Sequence, residues 1–122
     1  IIVTTTPATS PLLKREMITP GTHITAMGSG TSDKCELSPE ILDLADIVAA
    51  DSIEQAIQRG EISQALKAGK CNKDKLVELG SIIIDPSKGR TNDQQITIAD
   101  LSGVAIQDIM IAKAVTDKLG SK

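Results

Sequence analysis

Four short runs of this chain are almost wholly apolar or β-branched, and each stops at small polar residues. They are Ile1 to Thr5 (IIVTT), Thr22 to Met27 (THITAM), Asp46 to Asp51 (DIVAAD) and Ile96 to Ala99 (ITIA). For the most part they lack the polar residue at every second place that marks a half-exposed strand. Such runs fit strands covered on both faces, as in a parallel sheet packed between helices. Stretches with helical signals separate them, and that alternation predicts an α/β chain with a parallel sheet.

Pro7 and Pro11 forbid regular structure after the first run. Leu12 to Met17 has room for a short helix, and Pro20-Gly21 marks a turn. Ser38 is placed to cap a helix that has Pro39 at its first position and runs to Leu44. Ser52 and Glu54 open a second helix, and a break at Gly60-Glu61 starts a third that reaches Ala68. Asp74 to Leu79 (DKLVEL) reads as helical and leads to an apolar SIII. Pro86 to Asn92 is the longest polar loop. Ser102 is placed to cap a last helix reaching Leu119, apolar on most of its surface and so expected to be well covered. No repeat or linker divides the chain. A first strand that is wholly apolar needs neighbours on both sides, so the chain is expected to be a piece of a larger α/β protein, or one cut deliberately.

Composition excludes several functions. A formal charge of −3 over 122 residues argues against a general nucleic-acid binder, which shows a basic stripe. Aromatic residues are absent, so no base-stacking platform exists and the core must be aliphatic. No apolar run approaches the roughly 20 residues a membrane helix needs, and no signal peptide is seen. Cys35 and Cys71 match no metal or redox spacing, so no metal site is expected and both read as reduced cytoplasmic thiols.

In open parallel sheets, ligands bind beyond the carboxyl ends of the strands. The first run ends at Thr4-Thr5-Thr6-Pro7, the second at Met27-Gly28-Ser29-Gly30, and the fourth at Asp100-Leu101-Ser102-Gly103. Glycine lets backbone amides approach a ligand closely, and hydroxyls bind ribose or phosphate oxygens. Three such ends side by side would make a crevice for a nucleotide or another small molecule. The phosphate-binding pattern G-x-G-x-x-G is not present; GSGTSD begins like it but lacks the last glycine. Other polar residues take plainer roles. His23, the single histidine, reads as a hydrogen-bonded strand residue. Lys34 and Glu36 read as solvated charges, and Arg90 with Asp93 as a loop salt bridge. Met17, Met27 and Met110 read as packing, and one histidine among many hydroxyls suggests no Ser/His/Asp triad.

Four stretches together resemble one family. They are IIVTTTP, PGTHITAMGSGTSDKCELSPEIL, ADIVAADSIEQAIQRGEI and KGRTNDQQITIADLSGVAIQDIMIAKAV, with GTHI-x-A-x-G and G-R-x-x-D-x-x-I-T among them. In that order, over nearly the whole chain, they are similar to the ornithine cyclodeaminases and mu-crystallin, a family that includes alanine dehydrogenases and imine reductases. The resemblance implies the second half of a Rossmann-like parallel sheet flanked by helices. Residues 1–122 would form a partial NAD(P)-binding domain with a carboxyl-terminal helix. The amino-terminal lobe for substrate and dimerisation, and the glycine-rich pyrophosphate turn, would lie upstream.

By the same resemblance, Thr6, Met27, Gly28, Ser29, Lys34 and Leu101 would bind NAD or NADP, and Ser102 would face the substrate. At Gly30 the family's cyclodeaminases and several of its dehydrogenases carry an aspartate that moves a proton. Glycine moves none, and nearby Asp33 is a weak candidate to replace it. At Leu101 the family often has a serine, so one hydroxyl is lost. The implied protein is an NAD(P)-dependent oxidoreductase acting on the C–N bond of a small amino or imino acid, a homodimer at full length. The alternatives are an NAD-dependent ornithine cyclodeaminase and a non-catalytic, mu-crystallin-like nucleotide binder. The isolated chain is expected to be inactive.

Overall fold

Five strands hydrogen-bond in the order β1-β2-β5-β3-β4, and every neighbouring pair is parallel. They are β1 (Ile2–Thr4), β2 (His23–Ala26), β3 (Ile47–Ala50), β4 (Leu76–Glu78) and β5 (Thr97–Asp100). The computed structural model describes residues 1–28 and 30–120. Five helices join the strands or follow them: α1 (Pro39–Leu44), α2 (Ile53–Ala56), α3 (Gly60–Lys67), α4 (Leu79–Ile84) and α5 (Ala105–Gly120). Parallel pairing forces each connection back across a face, which is why helical stretches alternate with strands. Among the described residues, no helix is long and apolar enough to cross a membrane.

Register puts Ile24, Ile98 and Val48 in one row and Ala26, Asp100 and Ala50 in the next. These rows face α1 and α3, where Ile41, Leu42, Ala45, Ile62 and Ala65 complete an aliphatic core without aromatic help. The opposite face carries His23, Thr97, Ile47 and Ala49. Leu79 and Ile82 of α4 lean over it, leaving an apolar hollow of about 400 Å³.

The structure corrects several expectations. Residues 74–79 are not a helix: a 3-10 turn at Lys73–Lys75 leads into strand β4, and SIII belongs to α4. A three-residue strand has too few positions for its period to show. Pairing with β3, through Ala49↔Val77, decides it. Ser102 does not cap α5, which starts at Ala105; its hydroxyl is bonded elsewhere. Helix α5 is not covered: none of its residues is buried, and Ile106, Ile109, Met110 and Ile111 are all more than half exposed. The methionines do not pack inside either, since Met17, Met27 and Met110 are each more than half exposed.

Arg90 forms no ion pair with Asp93. Its Nη2 donates to the carbonyls of Gly21, Thr22 and Gln95 at 2.8, 3.3 and 2.7 Å, tying together the entries of β2 and β5. His23 is hydrogen-bonded as expected, Nδ1 to Thr97 Oγ1 at 2.7 Å and Nε2 to Thr25 Oγ1 at 3.1 Å. Burial lowers its pKa, and the Arg90 charge adds to the effect.

Candidate functional site

The three polar strand ends lie side by side. Because β1, β2 and β5 are consecutive and parallel, the segments after Thr4, Ala26 and Asp100 emerge along one rim. Backbone bonds continue the pairing past the strands: Met27 N donates to Thr4 O, and Leu101 N to Ala26 O, each at 2.9 Å. Thr6, Met27, Gly28, Leu101 and Ser102 are thereby gathered at one edge. Ser29 lies outside the described residues. Lys34 and Asp33 sit on the loop above, Lys34 half-buried and Asp33 exposed.

Beneath the rim lies Glu36, which is not a solvated charge but fully buried. Its Oε1 accepts the amide of Thr6 at 2.5 Å, and its Oε2 accepts the Thr4 hydroxyl at 2.6 Å and the Gly28 amide at 3.0 Å. Burial alone would raise its pKa. The bonds from Thr4, Thr6 and Gly28 outweigh that and hold it below the ordinary value. Glycine at 28 follows from this packing, because a Cβ there would fall 2.5 Å from the Glu36 carboxyl carbon.

Two more buried carboxylates continue the frame. Glu61 Oε1 accepts from Glu36 N at 2.7 Å and its Oε2 from Leu37 N at 3.1 Å. Asp100, at the tip of β5, accepts from Ile62 N at 2.9 Å. Gly60 takes φ +87°, and a Cβ there would meet Asp100 Oδ2 at 2.9 Å, so both its backbone and its neighbour exclude a side chain. Asp100 is 2% exposed, and burial raises its pKa to about 7, with the charges of Glu61 and Asp51 adding to the rise against the Ile62 bond. Burial also raises the Cys35 thiol to about 11, with the Glu61 charge next in weight, so it is no nucleophile at neutral pH.

At the β5 end, Asp51 Oδ2 accepts from Gly103 N at 2.7 Å. The Ser102 hydroxyl accepts from Gln55 Nε2 at 3.3 Å and reaches Asp51 Oδ1 at 3.5 Å. Gly30 faces Ser102, whose carbonyl is, among the described residues, the one atom within 4 Å of a Cβ built there, at 3.8 Å. A larger residue would fit at that position. A hydrogen bond from the Thr31 side chain, followed by one from its own backbone amide, holds the exposed Asp33 carboxyl below its ordinary value, which makes it a poor proton donor.

The whole chain, residues 1–122, matches the model of the ornithine cyclodeaminase/mu-crystallin family. The chain belongs to this family. It is 44% identical over 113 residues to an uncharacterized cyclodeaminase of Sinorhizobium fredii, covering 92% of this chain and 34% of that protein. An archaeal alanine dehydrogenase dimer with bound NAD superposes with TM-score 0.89 at 39% identity, over 98% of this chain and 38% of that one. The iminosuccinate reductase of Paracoccus denitrificans, in complex with NAD+, gives TM-score 0.87 and 38% identity, over 95% of this chain and 36% of that one. The chain therefore spans little more than a third of the length of these relatives.

Sequence reasoning found the rim of this cyclodeaminase-family chain but missed the acids that hold it. Glu36 carried one readable sign: it stands between apolar Cys35 and Leu37, directly before a helix start. Asp51, Glu61 and Asp100 carried none, since each serves an amide distant in the sequence or across a turn.

Proposed function

We propose that the complete protein is an NAD(P)-dependent oxidoreductase acting on the C–N bond of a small amino or imino acid. Residues 1–122 would supply the nicotinamide side of its cofactor site, as a partial Rossmann domain ending in a helix. One observation carries this reading: Thr6, Met27-Gly28 and Leu101-Ser102 sit at adjacent tips of one parallel sheet, in a chain whose relatives include two enzymes solved with NAD.

The residues fit a nicotinamide. The rim is built of small side chains and backbone, with open space above Gly30 and the exposed, apolar Met27 beside it. One first-turn amide of each of α2 and α3 is already taken, Ile53 N by Glu78 at 2.8 Å and Ile62 N by Asp100. That suits a nicotinamide ring better than an anionic phosphate. Thr6, Met27, Gly28, Ser29 and Leu101 would hold the ring, and Lys34 would lie near the cofactor's charged part. When bound, the cofactor supplies hydride transfer to or from the carbon that bears nitrogen. Ser102, oriented by Gln55, would face the substrate. Neither Gly30 nor Asp33 is suited to donate the proton, so that step falls to a group outside this rim. Most of the substrate site and the homodimer contact would likewise fall outside residues 1–122. Both cysteines are free thiols, which suits the cytoplasmic location we assign.

Assaying the complete protein against amino and imino acids with NADH and NADPH tests the reading. Cofactor oxidation or reduction with one of them is expected. Nucleotide binding without turnover would instead mark a mu-crystallin-like binder. Ornithine cyclodeaminase is the second reading, because a probable ornithine cyclodeaminase of Bordetella pertussis is among the solved structures the chain resembles. Gly30→Asp has room for its side chain. On the dehydrogenase reading it leaves ammonia release from ornithine at background, whereas a marked rise would favour a cyclodeaminase scaffold.

A further inference from the structure

We propose that Glu36 is a positioning residue for the nicotinamide edge of the cofactor site: its carboxylate fixes the spacing of the β1 and β2 tips before any ligand arrives. This rests on the reading that the complete protein binds a nicotinamide dinucleotide.

The geometry favours such a role. One carboxylate receives three donors from two neighbouring tips: the Thr4 hydroxyl and Thr6 amide of the first, and the Gly28 amide of the second. Thr6 and Gly28 are the residues assigned to the cofactor, so Glu36 stands immediately behind the surface the ring would touch. Contact leaves no slack, because a Cβ on Gly28 would overlap the carboxyl group. The main chain of Glu36 is itself pinned on both sides. Its amide donates to Glu61, and its carbonyl accepts from Leu12 N at 2.8 Å and Leu13 N at 3.0 Å. Glu61 is the second residue of α3, whose next amide, Ile62 N, is held by Asp100 on β5. All three tips thus belong to one hydrogen-bonded frame, with Glu36 at its ligand end.

Only a carboxylate satisfies this site. Both its oxygens accept and neither donates. A glutamine of the same shape would turn an N–H toward the amide of Thr6 in one orientation and toward that of Gly28 in the other. Burying a charge is costly, and a fold that needed only volume here would be served by an apolar side chain. The acid makes sense where two backbone amides must be held at a fixed separation. Its depressed pKa agrees, since the ionised form is the one the donors stabilise.

The test compares NADH with ADP-ribose, which lacks the nicotinamide, by calorimetry on the complete protein and its Glu36→Gln variant. NADH should bind about tenfold more weakly to the variant, the equivalent of one lost hydrogen bond to a charged group, while ADP-ribose stays within about twofold. The Thr6 and Gly28 amides should also exchange with deuterium faster in the ligand-free variant. Equal weakening of both ligands would assign Glu36 to general stability and overturn the proposal, as would unchanged binding of both. If the wild-type protein binds no NADH, the oxidoreductase reading fails first and takes this proposal with it. Should Glu36→Gln not fold, Thr4→Val removes a single donor from the same carboxylate. It should weaken NADH about threefold relative to ADP-ribose, and an unchanged ratio would reject the role.

Discussion

The two ends of the sheet are held largely by opposite charges, the exception being Asp46, whose carboxylate accepts from Ile96 N at 2.8 Å at the amino end. At the amino-terminal end, cations serve carbonyl oxygens: Arg90 at the entries of β2 and β5, and Lys75 Nζ on Asp43 O and Ala45 O at the end of α1. At the carboxyl end, carboxylates serve amides. Glu36 takes Thr6 and Gly28, Glu78 takes Ile53, Asp100 takes Ile62 and Asp51 takes Gly103. The reason lies in parallel topology. Helices between parallel strands begin over the carboxyl ends and finish over the amino ends. Unpaired N–H groups and the positive pole therefore collect at one edge, carbonyls and the negative pole at the other. The acid edge is also the buried one: Glu36 and Asp100 are almost wholly enclosed, while Arg90 is exposed. The difference teaches that the candidate cofactor edge is organised by its own acidic side chains, and that disturbing it should cost more than disturbing the other end.

Asp100→Asn should show the largest effect. Asp100 has an ordinary value of 3.8 and a folded value of about 7. Between those values the native state keeps a proton that the unfolded chain has lost. Its contribution is therefore full below about pH 4 and is lost as pH rises to about 7. Urea denaturation across that range should show wild-type stability falling relative to the variant, by as much as about 4 kcal/mol at the roughly 1.4 kcal/mol per unit of linkage. The asparagine oxygen still accepts from Ile62 N, so the variant should fold. Parallel curves for the two proteins would mean that Asp100 titrates normally. Arg90→Ala tests the other edge: it removes donors to three carbonyls that water can reach, and denaturant midpoints should report a loss of about 1 kcal/mol. Lys113→Ala should do least. Its 2.7 Å pair with Asp117 lies on exposed α5, both side chains 64% accessible, and thermal unfolding should register no more than about 0.5 kcal/mol. An Arg90 effect exceeding that of Asp100 would reverse the comparison.

Much of this could be read directly. Strands β1, β2, β3 and β5 were visible because their apolar runs are continuous and bounded by turn residues. Pro39 marked the start of α1, and Ser52 caps α2 by accepting from Gln55 N, as its place in the sequence suggested. These features depend on neighbours a few residues away, so the sequence contains them. The glycine- and hydroxyl-bearing tips were legible for the same reason.

Everything that depended on a distant partner was not. Leu76–Glu78 became a strand only by lying against β3. Glu36 looks like any loop acid until donors 32, 30 and 8 residues away close on it. Arg90 found carbonyls up to 69 residues back instead of the nearby Asp93. Local order along the chain determined which segments are strands and which tips are small and polar. Tertiary structure alone decided which charges are buried, because the free energy of a buried carboxylate depends on the donors that folding brings to it.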